Sequence, residues 1–170
     1  MIQKPQASEY NPFYEPYVSK LPDEDLYVVL ERQLTSVADF FSTIPDDKMD
    51  YRYAPGKWSV KEVFNHLNDA ERVFSYRALS IVRGHDVELP GMDQDIYQEN
   101  SRMETRSMSS LVDEFKAIRT ATLALLQDVT EEEAMREGIA SGSRITVRAL
   151  AALTAGHYAH HIMIIKEKYL

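Results

Sequence analysis

The chain contains no cysteine. Disulfides and thiolate metal ligands are therefore excluded, and any nucleophilic sulfur must come from a substrate or cosubstrate. A cysteine-free chain fits a reducing compartment. Positive charge is in deficit: 19 Lys and Arg stand against 27 Asp and Glu, a formal charge of −8. That balance argues against nucleic acid or an anionic membrane as partner, because both select basic surfaces. No apolar run is long enough to span a bilayer. The opening residues, MIQKPQASEYNPFYEPY, lack a basic start followed by an apolar stretch, so no signal peptide is expected. The expectation is a cytoplasmic protein acting on a small molecule.

What is present points to one helical domain. The 170 residues are 44% apolar, enough for a sizeable core without covalent staples. Residues 1–20 carry Pro5, Pro12 and Pro16 among Tyr10, Phe13, Tyr14 and Tyr17, which predicts an irregular arm lying on the body. Residues 21–170 are expected to form the bundle domain. A first helix is expected from about Asp23 to Thr43, and a second opens at Ser59-Val60-Lys61-Glu62, a capping box, and runs to about Arg83. A long connection over residues 85–106 follows; connections of that length are often functional. A third helix is expected over Ser109–Gln127, and Thr130-Glu131-Glu132-Glu133 can cap one short turn. Residues 138–145 suggest a loop or small hairpin, and the last helix spans about Thr146–Tyr169. The fold class is all-α: a four-helix bundle with a long crossover between helices two and three.

Three of the five histidines fall in Gly156-His157-Tyr158-Ala159-His160-His161. His157 and His161 are four residues apart and stack on one helix face, a spacing that suits two imidazoles on one metal ion. His66, on the inward stripe of the second helix with Val63, Ala70, Val73, Phe74, Arg77 and Ile81, is the candidate third ligand. Inward imidazoles are costly unless a metal, buried carboxylates or water satisfies them. His160 rivals His161 from the edge of the stripe. His85 lies in the long connection, where solvation is expected. Three nitrogens leave a position open, and such a site activates water or a thiol; all-nitrogen ligation suits Zn²⁺, with Ni²⁺, Fe²⁺ and Mn²⁺ as alternatives. Asp69, at the edge of the stripe, is the nearest candidate base. Arg77 reads either as an anchor for an anionic substrate group or as half of a structural ion pair. Asp93 and Asp95 line the site only if the long connection folds over it.

Pro55-Gly56-Lys57-Trp58-Ser59-Val60-Lys61-Glu62-Val63, followed by His66-Leu67 and Asp69-Ala70-Glu71, resembles the start of helix two in the DinB-like (YfiT-related) family. Leu89-Pro90-Gly91-Met92-Asp93-Gln94-Asp95 and His157-Tyr158-Ala159-His160-His161 are similar as well, so the resemblance spans roughly residues 25–170. It implies an up-up-down-down-like four-helix bundle, often a homodimer. It also implies Zn²⁺ or Ni²⁺ on three histidines, which map here to His66, His157 and His161. Family activities include thiol-dependent S-transfer with bacillithiol, mycothiol or glutathione, thiol-dependent isomerisation, and hydrolysis assigned by analogy. The leading expectation is metal-dependent S-transfer to a small electrophile with a low-molecular-weight thiol as cosubstrate. A metal-dependent hydrolase and a non-catalytic metal-binding bundle are the alternatives.

Overall fold

Each long helix begins at a side chain able to accept from its first free amides. The computed structural model describes residues 1–170. Its helices are α1 (Glu15–Val18), α2 (Leu26–Ser42), α3 (Val60–Val82), α4 (Gln94–Glu99), α5 (Met108–Leu126), α6 (Glu131–Ala134) and α7 (Val147–Lys168). Asp25 caps α2, Ser107 caps α5 and Thr146 caps α7. Ser59 accepts from the Glu62 amide while Glu62 reaches back to the Ser59 amide, completing the capping box of α3. Helix α2 starts three residues later than Asp23, because Asp25 supplies the cap. Thr130 and Glu133 form a second box on the single turn of α6.

Helices α2, α3, α5 and α7 make the four-helix bundle, with α3 and α2 each packing against both α5 and α7. The crossover between α3 and α5 carries α4 and a short strand, β1 (Glu88–Leu89). The hairpin of residues 137–146 is formed: β2 (Glu137–Ala140) pairs antiparallel with β3 (Ser143–Thr146) through a turn at Ser141-Gly142. β1 adds to it in parallel, Leu89 opposite Ala140. Two residues carry no period-2 signal, so β1 could not be anticipated.

Two apolar clusters fill the bundle. One gathers Leu26, Leu30, Ile81, Leu123, Leu150 and Leu153, and the other Val37, Phe64, Leu111, Phe115, Tyr158 and Ile165. Gln33, Glu71 and Arg119 sit between them in sequence on α2, α3 and α5, and the carbonyl of Ala155, at the edge of the first cluster, joins them from α7. Arg119 is fully buried. It donates to both Glu71 carboxylate oxygens at 2.7 and 2.8 Å and to Gln33 Oε1 at 2.8 Å. Gln33 in turn donates to the Ala155 carbonyl at 2.9 Å.

Residues 1–25 lie against the bundle. Ile2, Tyr10, Val18 and Leu21 are buried in the first cluster. The buried Glu9 carboxylate accepts from Arg148 and from Thr146 at the start of α7. α1 packs directly on α7, where Gly156 makes room: a Cβ there would stand 2.4 Å from the Tyr17 carbonyl oxygen. Any side chain at position 156 would push α1 away.

Candidate metal centre

α3 and α7 are neighbours, and each carries its histidines on the shared face. His66 Nε2 lies 3.0 Å from His157 Nε2, and His161 Nε2 lies 3.1 Å from the same atom. Ligand atoms of all three residues fall within 4.8 Å of one another. Nitrogens each about 2.0–2.1 Å from one ion stand roughly 2.9–3.4 Å apart. The protein alone accounts poorly for this cluster. A ring nitrogen carries either a proton or a lone pair, so His157 Nε2 cannot form two full hydrogen bonds at once. A shared ion resolves the conflict, because it takes one lone pair from each ring.

The surroundings keep the rings neutral. Burial pushes His66 down to about 4 and His161 down to about 3. Burial also holds His157 well below its ordinary value, reinforced by the neighbouring His161, His66 and His160. Neutral imidazole is the form that binds metal. Packing sets the ring orientations. Trp58 lies over His66 with centroids 5.0 Å apart, and Tyr17 lies edge-on to His157 at 5.4 Å and to His160 at 5.0 Å. His66 Nδ1 is buried with no protein partner. Sequence places Trp58 just before the second helix and Tyr17 among the aromatics of the arm, and nothing local to either shows that it reaches the histidines.

The cluster is open on two sides. A cavity of about 150 Å³ is lined by His66 and His157 together with Tyr14, Tyr17, Arg77 and Ser141. A second, of about 270 Å³, is lined by His161 with Trp58, Tyr53, Lys57 and Asp95. Gln94 is on the wall of both. The long connection does fold over the site, therefore, and it brings Met92, Gln94 and Asp95. Asp93 instead caps α4.

His160 is half-buried beside Tyr17, with its ring 5.3 Å from that of His161, outside the convergent set. His85 is exposed. Asp69 stands apart from the histidines and lines a third cavity, of about 380 Å³, with Arg72, Tyr76 and Arg77. Its carboxylate accepts from Asn65 at 2.9 Å and lies 3.9 Å from Arg72. Burial pushes the Asp69 carboxyl up, against the opposing pull of Arg72. Arg77 is 4% exposed and has no carboxylate partner; its Nη2 donates to the Pro90 carbonyl at 2.6 Å and to Ser141 Oγ at 2.9 Å. The structural ion pair that its inward position suggests is not formed.

The fold and site define a four-helix bundle with a three-histidine cluster between two of its helices. The DinB superfamily matches residues 29–165, most of the chain, and the chain belongs to that superfamily. The structure is similar to that of YfiT from Bacillus subtilis, described as a probable metal-dependent hydrolase with an unusual four-helix bundle topology. The TM-score is 0.77 at 22% identity, covering 94% of this chain and 91% of that one. It is also similar to YjoA, a DinB-like protein from the same organism, with a TM-score of 0.54 at 22% identity over 82% of this chain and 87% of that one. No curated protein matches the sequence.

Proposed function

We propose that His66, His157 and His161 hold one divalent ion, Zn²⁺ or Ni²⁺, and that the protein is a metal-dependent enzyme transferring a low-molecular-weight thiol to a small electrophile. The observation that carries this reading is the convergence of three neutral Nε2 atoms at a point flanked by two cavities. A divalent ion bound there supplies Lewis acidity and lowers the pKa of a thiol or water that reaches it. The chain's residues do the rest. The apolar walls of Val73, Phe74 and Trp58 limit water, and Gln94 offers an amide to both chambers. Two chambers meeting at one cluster suit two reactants, a thiol and an electrophile, arriving from different sides. The absence of cysteine leaves the sulfur to come from outside the chain.

A second reading, hydrolysis at the same site, has as its support the structural similarity to YfiT, a probable metal-dependent hydrolase. For either reaction Asp69 is the proposed base, with its raised carboxyl pKa as support and its place on a separate cavity wall as the point to test. The reactions separate in one assay. Metal-loaded protein given an electrophile with bacillithiol, mycothiol or glutathione should consume free thiol, and Asp69→Asn should slow it. Turnover of activated esters without thiol, and no thiol consumption, would establish hydrolysis instead. The homodimer implied by the resemblance, and a cytoplasmic location, belong to the same proposal. A solution mass of twice 19.5 kDa would support the homodimer.

A further inference from the structure

Arg77 is the one buried cation in this molecule that faces the candidate centre without an anion. Arg119 is buried too, but Glu71 neutralises it through two hydrogen bonds. Arg148 is paired with Glu9. Arg77 has only neutral partners: Nη2 donates to the Pro90 carbonyl and to the Ser141 hydroxyl, and the Tyr14 phenol is the third. Its Nε is buried with no partner at all. Burying an uncompensated charge is expensive, and folded proteins retain one where a ligand balances it or where the site uses it. The chain as a whole is acidic, yet no Asp or Glu lines the cavity that Arg77 shares with His66 and His157.

The local backbone is built around this guanidinium. Ser141 adopts φ 52°, a left-handed conformation uncommon for a residue with a side chain, in a two-residue turn completed by Gly142 at φ 73°. The Ser141 amide donates to the Leu89 carbonyl at 3.0 Å, which fixes the turn against the crossover. Ser141 is also the residue whose hydroxyl accepts from Arg77 and lines the same cavity. Positive φ at both central residues is what a two-residue hairpin turn requires, so the hairpin itself holds this hydroxyl in place. Arg77 and His66 are eleven residues apart on α3, about 16 Å of helix rise. Helical side chains lean toward the N-terminus, so the long Arg77 side chain spans part of that interval toward the histidines. The Tyr14 phenol stands beside it as a further polar group.

We propose that Arg77 anchors the anionic group of the small molecule that reacts at the histidines. Its recognised chemistry is an oxyanion, carboxylate or phosphate, at one end of a compact substrate whose other end reaches the His66–His157 side of the cluster. Arginine presents paired donors that match such an oxyanion. The inference rests on reading the histidines as the reacting centre, and it adds the substrate class.

The test is calorimetric and needs no turnover. Metal-free protein is titrated with glutarate, inorganic phosphate and neutral glutaramide. Wild type should bind one anion per chain with an affinity that weakens as salt rises, and should bind glutaramide at least about tenfold more weakly. A preference for glutarate identifies a carboxylate substrate, and a preference for phosphate a phosphorylated one. Arg77→Gln should weaken anion binding about tenfold or more, with Arg77→Lys in between. Should Arg77→Gln fail to fold, Val73→Glu serves. It places a carboxylate one turn before Arg77 on the shared wall, and should abolish anion binding without lowering Tm. His161→Ala, on the other cavity, should keep anion binding whatever happens to metal binding. Anion binding retained in His161→Ala supports the assignment of Arg77 and its loss there counts against it, whereas absence of metal binding in wild type would sink the proposed function alone. Equal anion affinity in wild type and Arg77→Gln, equal binding of glutarate and glutaramide, or no anion binding at all would overturn the assignment of Arg77.

Discussion

His157 carries the tightest constraint of any single residue. It is buried against Tyr17 and Phe74, and its Nε2 touches two other imidazole nitrogens. These rings make a prediction about pH. Folded values of about 4 for His66 and about 3 for His161 lie below the 6.5 of a free histidine. The unfolded chain therefore binds more protons than the folded one as pH falls below about 6.5. Stability of the metal-free protein should hold above that pH and decline through the window toward about 4. His66 and His161 should each contribute on the order of 1–3 kcal/mol to the decline. Melting temperature measured from pH 7.5 to 5 checks this, with His66→Gln as control: the slope should shrink in the variant. An unchanged slope would assign the pH dependence elsewhere. The three histidines were legible because i,i+4 spacing and an inward stripe are properties of sequence. Arg77 was legible as inward, but its lack of an acid partner was not. Tyr17 and Ser141 carry no local signal; they reach the site only through the packing of the arm and the hairpin.

The long helices were legible almost to their ends, since capping residues and apolar periodicity both act within one turn. Stripes were read less well than boundaries. Apolar spacing in α5 marks Leu111, Phe115, Thr122 and Leu126, all of them buried, together with Ile118 and Leu125, which are only half-buried; Arg119 is the buried charged position that the spacing does not mark. An arginine on a helix normally marks a solvated face, so the sequence does not signal that Arg119 is buried. Its partner Glu71 is 48 residues away, so no local pattern records the pair. The pair joins α3 to α5, and Gln33 extends it to α2 and α7. Removing one member leaves the other charge buried and bare. Glu71→Ala should therefore destabilise the fold by about 3–5 kcal/mol. Equilibrium urea unfolding checks the value, and a loss under about 1 kcal/mol would mean the network contributes little beyond packing.

At the scale of the whole molecule, the bundle encloses two apolar clusters with a polar layer between them, and the histidines line the seam between α3 and α7. Three segments distant in sequence close over that seam: α1 through Gly156, the crossover through Gln94, and the hairpin through Ser141. No helix is long and apolar enough to cross a membrane. The bundle followed from helix count and loop length, whereas the parallel pairing of β1 with β2 depends on two residues meeting a hairpin some fifty positions later. The central claim is that three convergent imidazoles hold one ion. Elemental analysis of purified, untagged protein after loading with Zn²⁺ or Ni²⁺, beside His161→Ala and His160→Ala, tests it most directly. One ion per chain in wild type and in His160→Ala, with loss in His161→Ala, is the predicted result. No bound ion in wild type, or full retention in His161→Ala, would contradict it.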